Sequence, residues 1–298
     1  MRTVEVSQVA KSFGATQAVA DVSFAVERAE IFGLLGPNGA GKTTTIRLIL
    51  DIFKPDRGTV SILGGPMTEE KKDRVGYMPE ERGLYQDMQL DKCLVYLGRL
   101  KGMSKSLAQQ RVVSYLERFD LGQHKRKKVK ELSRGMQQKA QIISTVLHEP
   151  ELLILDEPFS GLDPVNTQLV KDLMLDLRAA GSTIIMSTHM MRQVEELCDR
   201  ILLISDGRNV LYGPWGQIRR EHSGHAVLVQ VAGALPKLAG VETISEHNGA
   251  LHLALSTGSN PQDILQQLVA HGITVEQFEI ARPTLDEIFI RTVSALAD

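Results

Sequence analysis

A glycine-rich segment at residues 36–44 carries the side chains most suited to chemistry. Its first eight residues, Gly-Pro-Asn-Gly-Ala-Gly-Lys-Thr, match the phosphate-loop pattern G-x-x-x-x-G-K-[ST]. Glycines lack a Cβ, so the backbone N–H groups of such a loop can turn toward phosphate oxygens. Lys42 adds positive charge for the β- and γ-phosphates, and the Thr43 hydroxyl suits Mg²⁺. The pattern predicts a site for a nucleoside triphosphate. Its expected residues are Gly36, Pro37, Asn38, Gly39, Ala40, Gly41, Lys42, Thr43 and Thr44.

Two carboxylates follow an apolar run at residues 152–155, which is short and continuous as in a strand buried on both faces. Ligands of open α/β sheets bind at the carboxyl ends of the strands, so this run would deliver Asp156 and Glu157 to the phosphate loop. We expect Asp156 to hold Mg²⁺ through water and Glu157 to polarise an attacking water as general base. An acidic pair after a strand is by itself more often the start of a loop. The nearby phosphate loop favours the catalytic interpretation.

Three further segments are ambiguous when each is taken alone. Residues 132–138 read Leu-Ser-Arg-Gly-Met-Gln-Gln, in which Ser133 suits a helix N-cap and Gly135 permits close approach of a ligand. Residues 160–163 read Ser-Gly-Leu-Asp, and His189 follows another apolar run. Taken alone, residues 132–138 would be only a capped helix, and a lone histidine at the end of a strand is more often structural or solvated.

The surrounding elements indicate an α/β core that would hold these segments together. Strand-like runs alternate with helical stretches, and residues 85–148 are mostly helical. The composition changes near residues 213–216. We therefore expect a first domain at 1–219, with a helical subdomain at about 81–148, and a second domain at 220–298. The strands expected in the first domain are 4–9, 22–26, 31–35, 75–78, 152–155, 183–187 and 201–204, and a helix is expected from 42 to about 51.

The second domain is expected to be a small α+β unit. Asn248-Gly249 is typical of a two-residue hairpin turn, and Thr284 with Glu287 is typical of a capping box at the start of a last helix. The order β-α-β-β-α-β is the ferredoxin-like arrangement. The expected strands are 226–231, 241–247, 250–255 and 273–280, with a weakly indicated helix at 235–239 and a helix from Asn260-Pro261 to Gly272.

The composition is that of an ordinary globular chain. The 298 residues are 43% hydrophobic and 23% charged, with a formal net charge of −2, so no global positive charge draws the chain to nucleic acid. The run Lys-Arg-Lys-Lys at 125–128 favours a solvated face, with contact to nucleic acid or lipid headgroups as the alternative. Two cysteines exclude a disulfide scaffold. No apolar run reaches 18 residues and no signal peptide is visible, so we expect a soluble cytoplasmic protein.

Together, the motifs resemble in order and spacing those of the ATP-binding cassette (ABC) ATPases, over about residues 2–215. Residues 132–138 are similar to that family's signature, Leu-Ser-Gly-Gly-Gln, although Arg134 replaces the first glycine and Met136 intervenes before Gln137. Asp163 lies in a segment that resembles the family's D-loop, and His189 resembles its switch histidine. The resemblance implies a P-loop NTPase cassette with a helical subdomain that uses ATP and Mg²⁺.

Several residue roles follow from this resemblance. The signature acts in trans on ATP held by a second copy, which implies a homodimer with two composite sites. Lys42, Glu157 and His189 would be catalytic, with His189 at the γ-phosphate. Phe13, in Lys-Ser-Phe-Gly, would stack on adenine, although ordinary core packing would also explain it. The residues expected to bind nucleotide outside the phosphate loop are Phe13, Ser133, Gly135, Gln137 and Asp163.

One position departs from the family pattern. The family carries a glutamine near Mg²⁺ after the strand at 75–78, whereas this chain has Glu80, and Gln86 lies past the turn. A carboxylate can still hold Mg²⁺ through water, so Thr43, Asp156 and Glu80 are the expected metal residues. We hypothesise that the added negative charge slows hydrolysis or tightens its dependence on Mg²⁺.

The sequences of residues 76–85, 132–139 and 282–289 are most similar to ATPase subunits of bacterial ABC-2-type exporters, including sodium- and drug-efflux subunits. This implies a separate integral-membrane permease, with the chain peripheral on the cytoplasmic face of the inner membrane. The permease contact is expected between residue 81 and about 103. The apolar residues there would form either a contact surface or helical core: Leu84, Tyr85, Met88, Leu90 and Leu94.

Two other functions stay open from the sequence alone. A soluble ABC ATPase acting on nucleic acid or the ribosome usually carries a coiled-coil insertion or a second cassette. The stretch between Lys42 and Ser133 is too short for such an insertion, and the balanced charge gives no support, so no nucleic-acid partner is expected. A phosphotransferase kinase would use the same loop but would not need the signature or His189.

Overall fold

The computed structural model describes residues 2–81, 83–222, 226–233, 235–247, 250–256, 258–281 and 283–297. The chain divides into two compact units, Met1–Tyr212 and Gly213–Asp298. The division falls before the expected boundary between residues 219 and 220, because the short helix Trp215–Glu221 groups with the second unit.

A nine-stranded sheet forms the centre of the first unit. Its order is β4-β1-β2-β9-β8-β3-β7-β6-β5. β1 pairs antiparallel with β2 and β4, whereas β3, β5, β6, β7 and β8 pair in parallel. All strands expected from the sequence in this unit are present, and β4 and β9 are additional. In chain order the strands are β1 (Arg2–Phe13), β2 (Thr16–Glu27), β3 (Ile31–Leu35), β4 (Arg57–Ile62), β5 (Val75–Met78), β6 (Leu152–Asp156), β7 (Thr183–Thr188), β8 (Arg200–Ser205) and β9 (Arg208–Pro214).

The central strands are buried because apolar residues run through them almost without interruption. Every residue of β3, β6 and β7 is buried, as the continuous apolar runs predict for parallel strands covered on both faces. Leu35 pairs with Thr188, and Asp156 pairs with Ser187. The three strands therefore end at the same edge of the sheet, and side chains that follow them must meet there.

The predicted helical region is present and lies in the chain between β5 and β6. Buried residues of α3 and α4, including Leu94 and Val112, supply its core. Two short 3₁₀ turns, Gly122–His124 and Val129–Glu131, precede α5. The helices described in this unit are α1 (Lys42–Ile49), α2 (Glu69–Lys72), α3 (Leu90–Leu100), α4 (Lys105–Arg118), α5 (Arg134–Val146), α6 (Pro164–Ala179) and α7 (Met191–Leu197).

The second unit contains a four-stranded antiparallel sheet in the order β11-β12-β10-β13. β12 lies between β10 and β11, which is the split order of the ferredoxin-like arrangement. Val227, Leu253, Ile264 and Leu268 are buried in its core. Its elements are α8 (Trp215–Glu221), β10 (Ala226–Ala232), β11 (Val241–His247), β12 (Ala250–Leu255), α9 (Pro261–Ala270), β13 (Thr274–Ile280) and α10 (Leu285–Ala297).

The prediction of a helix at residues 235–239 is wrong, because residues 235–238 have no regular secondary structure. Tertiary contacts hold this segment in another conformation. Leu238 is buried in the core of the unit. The N–H of Ala239 donates to Gln267 Oε1 at 2.8 Å, and the Ala239 carbonyl accepts from Gln267 Nε2 at 3.1 Å.

Both predicted helix starts in the second unit are confirmed. Asn260 Oδ1 accepts from the backbone N–H of Gln262 at 3.0 Å, and α9 begins at Pro261. Glu287 N–H donates to Thr284 Oγ1 at 3.3 Å, and Thr284 N–H donates to Glu287 Oε2 at 3.0 Å. These two bonds form the expected capping box.

The expected hairpin turn, Asn248-Gly249, lies outside the described residues, as does Arg282. The strands on either side of the turn do pair antiparallel, with His247 opposite Ala250. Within the part of the chain that the structure describes, no helix combines the length and apolar character that a membrane span requires.

A half-buried histidine in the first unit is expected to make the stability of the fold depend on pH. His148 follows α5, and its Nε2 lies 3.3 Å from the Val75 carbonyl oxygen. Burial, reinforced by the charge of Lys101, lowers the pKa of His148 to about 4. An unfolded chain restores the ordinary value of about 6.5, so between these values the unfolded state binds more protons than the folded state.

We expect the free energy of unfolding to fall as the pH is lowered from about 6.5 to about 4, with a contribution from His148 on the order of 3 kcal/mol. His148→Gln keeps a donor for the Val75 carbonyl and cannot titrate, so it should remove that part of the loss. Urea unfolding across this pH window measures the effect, and unfolding at pH 7.5 is the control for the substitution itself. Equal pH slopes for the two proteins would contradict the prediction.

Candidate functional site

A cleft of about 320 Å³ lies at the shared edge where β3, β5, β6 and β7 end. The loop between β3 and α1 forms one wall, and the residues after β5, β6 and β7 face it. The sequence-predicted phosphate loop and carboxylates therefore meet in one place. The lining residues are Ala18, Asn38, Gly39, Gly41, Lys42, Thr43, Thr44, Glu80, Asp156, Glu157 and His189.

Two glycines of the loop are required by close backbone approach. Gly36 has φ 149°, and a Cβ there would lie 2.2 Å from the Ile204 carbonyl oxygen. Gly41 has φ 105°, and a Cβ there would lie 2.5 Å from the Ala18 carbonyl oxygen. Gly39 also has positive φ, 83°, but a Cβ would meet nothing within 4 Å. The loop therefore folds as it does because positions 36 and 41 carry no side chain.

Lys42 lies at the start of α1 and is almost fully buried, at 7% exposure. Its Nζ donates to the carbonyl oxygens of Gly36 at 2.8 Å and Pro37 at 3.1 Å. The ammonium has three N–H donors, and these bonds use two. Burial lowers the pKa of Lys42, while Glu157, Asp156 and Glu80 act in the opposite direction, in that order. The cation is thus held in the loop among carboxylates. Gly36, Pro37 and Ala40 form backbone hydrogen bonds in the loop and do not line the cleft.

Asp156 ends β6 and joins the phosphate loop to the sheet. Thr43 Oγ1 donates to Asp156 Oδ2 at 3.0 Å, and the Ser187 hydroxyl on β7 donates to Oδ1. Asp156 is only 1% exposed, so these partners compensate the cost of burying its carboxylate. Ser187 was not among the residues expected at the site. Its position directly opposite Asp156 in the parallel register is what brings it there.

Glu157 is held by three donors from the last residue of β7 and the residue after it. Its Oε1 accepts from the backbone N–H of His189 at 3.1 Å and lies 2.8 Å from His189 Nδ1, and its Oε2 accepts from Thr188 Oγ1 at 3.2 Å. Because an ionised carboxylate only accepts, Nδ1 carries the proton in this contact and Nε2 is on the other side of the ring. Glu157 has φ 50°, a strained conformation for a residue with a side chain.

Glu80 follows β5 and lines the same cleft. Gln86, the alternative considered from the sequence, does not line it, and its amide donates to the Leu84 carbonyl oxygen at 3.1 Å. The structure therefore places the carboxylate of Glu80 near Lys42 and the other two acids.

The signature and D-loop residues lie beside each other and are not part of the cleft lining. Ser133 caps α5, its Oγ accepting from the Met136 N–H at 3.3 Å. Asp163 caps α6, and hydrogen bonds from Asn166 lower the pKa of its carboxyl. A Cβ on Gly135 would lie 3.3 Å from the Gly161 carbonyl oxygen, so the two segments are adjacent. No described residue of either segment lines the cleft.

Gln137 and Phe13 also lie outside the cleft lining among the described residues. The Gln137 amide donates to the carbonyl oxygens of Val129 and Leu132 at 3.1 and 3.0 Å, which closes the turn before α5. Phe13 is 43% exposed and meets Phe53 edge-on at 5.1 Å between ring centroids. That exposure excludes the core interpretation of Phe13 and leaves its ring accessible.

Two buried glutamines on α5 were missed from the sequence. Gln138 Nε2 donates to the Pro158 carbonyl oxygen at 3.1 Å and lies 3.5 Å from that of Glu157. Gln141 Nε2 donates to the carbonyl oxygens on either side of Glu80, those of Pro79 and Glu81. Their spacing of three residues, which places them on one helix face, was the available signal.

Comparison with known proteins identifies the family. A family model described as "ABC transporter" matches residues 19–160, and one described as "ATP-binding protein DrrA1-3-like, C-terminal domain" matches residues 213–293. The chain is 42% identical over 294 residues to the uncharacterized ABC transporter ATP-binding protein YhaQ of Bacillus subtilis (strain 168), covering 98% of each. This chain belongs to the ABC transporter ATP-binding proteins.

Further relatives agree with this assignment of an ABC ATPase. A Nod factor export ATP-binding protein I of Burkholderia lata is 38% identical over 213 residues, which cover 70% of each chain. A solved structure described as an ATP-binding subunit of an ABC transporter is 34% identical with a TM-score of 0.69, covering 74% of this chain and 92% of that chain. The predicted family, cassette fold and transport-coupled ATPase activity are confirmed.

Gly39 and Gly41 both have positive φ but differ in their surroundings, so they allow a matched test of the loop. Alanine at either position takes on positive φ, a cost of about 1–2 kcal/mol, but only the Gly41 position also has a carbonyl oxygen within contact. Gly41→Ala should therefore weaken ATP binding about tenfold or more, and Gly39→Ala clearly less. Titration with a fluorescent ATP analogue measures affinity, and thermal unfolding checks the fold. Equal losses in two folded variants would show that the Ala18 contact does not shape the loop.

Proposed function

We propose that this ABC ATPase powers export of a substrate through a separate integral-membrane permease, and that two copies close on ATP to do so. The observation that carries the proposal is that neither Ser133 nor Gly135 lines the cleft with Lys42 and Asp156. Gly135 lies instead next to Gly161 of the D-loop. In a pair of copies, the signature of one copy would complete the cleft of the other.

Within each cleft, the chain's own residues divide the work of hydrolysis. Lys42 and the N–H groups of the loop hold the β- and γ-phosphates. Glu157 accepts the proton of a water whose oxygen attacks the γ-phosphorus, while the bond to the bridging oxygen breaks and ADP leaves. Thr188 and the backbone of His189 hold the Glu157 carboxylate in position. With both ring nitrogens protonated, the His189 side chain, tied to Glu157 through Nδ1, can donate from Nε2 to the γ-phosphate.

The oxygen donors of the cleft fit Mg²⁺. Thr43, Asp156 and Glu80 supply a hydroxyl and two carboxylates, the hard ligands that Mg²⁺ prefers. Among the described residues, no three His, Cys, Asp or Glu side chains form a metal cluster. This agrees with a cation held by one or two carboxylates together with substrate phosphates and waters. Mg²⁺ would neutralise charge on the phosphates when bound.

Export is supported by the relatives and by an exposed aromatic pair. One relative, 38% identical over 213 residues, is named for Nod factor export. In the proposed contact region 81–103, Leu84, Leu90 and Leu94 are core, whereas Tyr85 is 48% exposed. Tyr85 meets Tyr96, itself 43% exposed, edge-on at 5.5 Å between ring centroids. We place the permease contact on this pair, which would keep the chain peripheral on the cytoplasmic face of the inner membrane.

Glu157→Gln should trap an ATP-bound homodimer. The amide keeps an oxygen for the two His189 donors but removes the base, so turnover should fall by about 10²–10⁴-fold while closure on ATP is retained. Size-exclusion chromatography with light scattering, with ATP and Mg²⁺, measures the dimer. Lys42→Ala, which removes the ammonium group expected to hold the phosphates, is the control and should stay monomeric. A Glu157→Gln protein that binds ATP yet stays monomeric, even with its permease restored, would contradict the composite-site proposal.

Replacing Tyr85 and Tyr96 together with alanine should reduce recovery of an integral-membrane partner. The tagged chain would be purified from detergent-solubilised membranes of the cells that produce it, and the partner identified by mass spectrometry. Ile52→Ala, which alters an equally exposed apolar residue, is the control. Recovery of RNA or ribosomes with no membrane protein would instead favour a soluble ATPase acting on nucleic acid, the alternative to export.

A further inference from the structure

Gln141 of α5 forms an unusual link to the residue that departs from the family pattern. Its side chain is 3% exposed, and its Nε2 donates to the Pro79 carbonyl oxygen at 2.9 Å and the Glu81 carbonyl oxygen at 3.3 Å. These are the backbone groups on either side of Glu80. One amide thus holds both ends of the turn that presents the Glu80 carboxylate to the cleft.

The Gln141 amide satisfies two backbone carbonyl oxygens but is itself only partly satisfied. Its Oε1 atom is buried and accepts no hydrogen bond from the described residues. An apolar side chain of the same length would leave no such atom, but it would leave the Pro79 and Glu81 carbonyl oxygens without these donors. The polar end of this side chain therefore serves the turn that carries Glu80.

α5 joins this link to the rest of the site. Ser133 caps the helix, and Gln141 lies eight residues further on, about 12 Å along the axis. The Gln141 backbone is itself fixed, because its carbonyl accepts from the hydroxyls of Ser144 at 2.7 Å and Thr145 at 2.8 Å. One turn earlier, Gln138 holds the Glu157–Pro158 backbone. The helix that begins at the signature therefore forms hydrogen bonds to two turns of the same chain, the one that carries Glu80 and the one that carries Glu157.

We propose that Gln141 is a positioning residue for Glu80, which fixes the distance of that carboxylate from Thr43 and Asp156. The proposal deepens the function proposed above and rests on Glu80 meeting the cation of the nucleotide. In this arrangement, movement of the signature end of α5 is transmitted to Glu80 through one side chain. Glu80 can thus bind the cation at a position where the family has a neutral glutamine, because Gln141 holds the backbone on either side of it.

The mechanical part of the proposal is tested without nucleotide, by amide hydrogen exchange in the full chain. Gln141→Met keeps the length of the side chain and removes both donors. It should speed exchange in the peptide covering residues 76–84 about tenfold. Gln138→Met is the matched control, since it lies on the same helix face and holds the other turn. It should speed exchange around residues 157–160 and leave 76–84 unchanged. Unchanged exchange at 76–84 in Gln141→Met would overturn the proposal whatever the fate of the proposed function.

The functional part is tested by a double-mutant cycle with Glu80→Ala. The readout is the Mg²⁺ concentration that half-saturates binding of a fluorescent ATP analogue, which needs no turnover. Gln141→Met should raise this midpoint about threefold to tenfold in the parent chain and leave it unchanged in the Glu80→Ala background. The exposed Gln168, replaced with Met, controls for the substitution type. Equal shifts in both backgrounds would mean that Gln141 does not act through Glu80. If Glu80→Ala itself leaves the midpoint unchanged, the metal role of Glu80 fails, and the positioning role fails with it.

Discussion

The buried carboxylate of Asp156 is the group on which the cleft depends. One oxygen accepts from Thr43 at the start of α1, and the other accepts from Ser187 at the end of β7. The carboxylate thus ties the phosphate loop to two strands of the sheet. Since it is nearly inaccessible to water, losing either partner would leave charge buried without compensation. The protein's own hydrogen bonds therefore hold the loop and this carboxylate in mutual position, as electrostatic preorganisation requires.

Unusual backbone conformations also occur at this edge. The loop turns at Gly36 and Gly41, where carbonyl oxygens of β2 and β8 residues leave no room for a Cβ. The residue after Asp156 is also unusual, because Glu157 has positive φ although it has a side chain. Such conformations cost on the order of 1–3 kcal/mol and persist where surrounding contacts enforce them. For Glu157 those contacts are the donors of Thr188 and His189.

The sequence predicts most of the cassette because its strands are continuous apolar runs and its ligands follow them directly. Lys42, Asp156, Glu157 and Glu80 line one cleft for that reason. The failures have physical causes of another kind. The local pattern predicts a helix at residues 235–239, but hydrogen bonding of Ala239 to Gln267 and burial of Leu238 hold the segment in another conformation. Gln141 reads as an ordinary polar helix residue until the turn that it faces is known. Local pattern specifies an element, whereas these features arise only when distant elements meet.

The charge around Lys42 explains why the position of Glu80 matters. Burial lowers the pKa of Lys42, and three carboxylates oppose that shift, so the acids help to keep the ammonium charged. A glutamine at position 80 would remain polar but would contribute no charge to this balance. The same carboxylate lines the cleft proposed for the phosphates, and like charges at close range repel. The net effect depends on the distances from Glu80 to Lys42 and to the phosphates. Gln141 holds the backbone on either side of Glu80, so those distances depend on the hydrogen bonds of one buried amide.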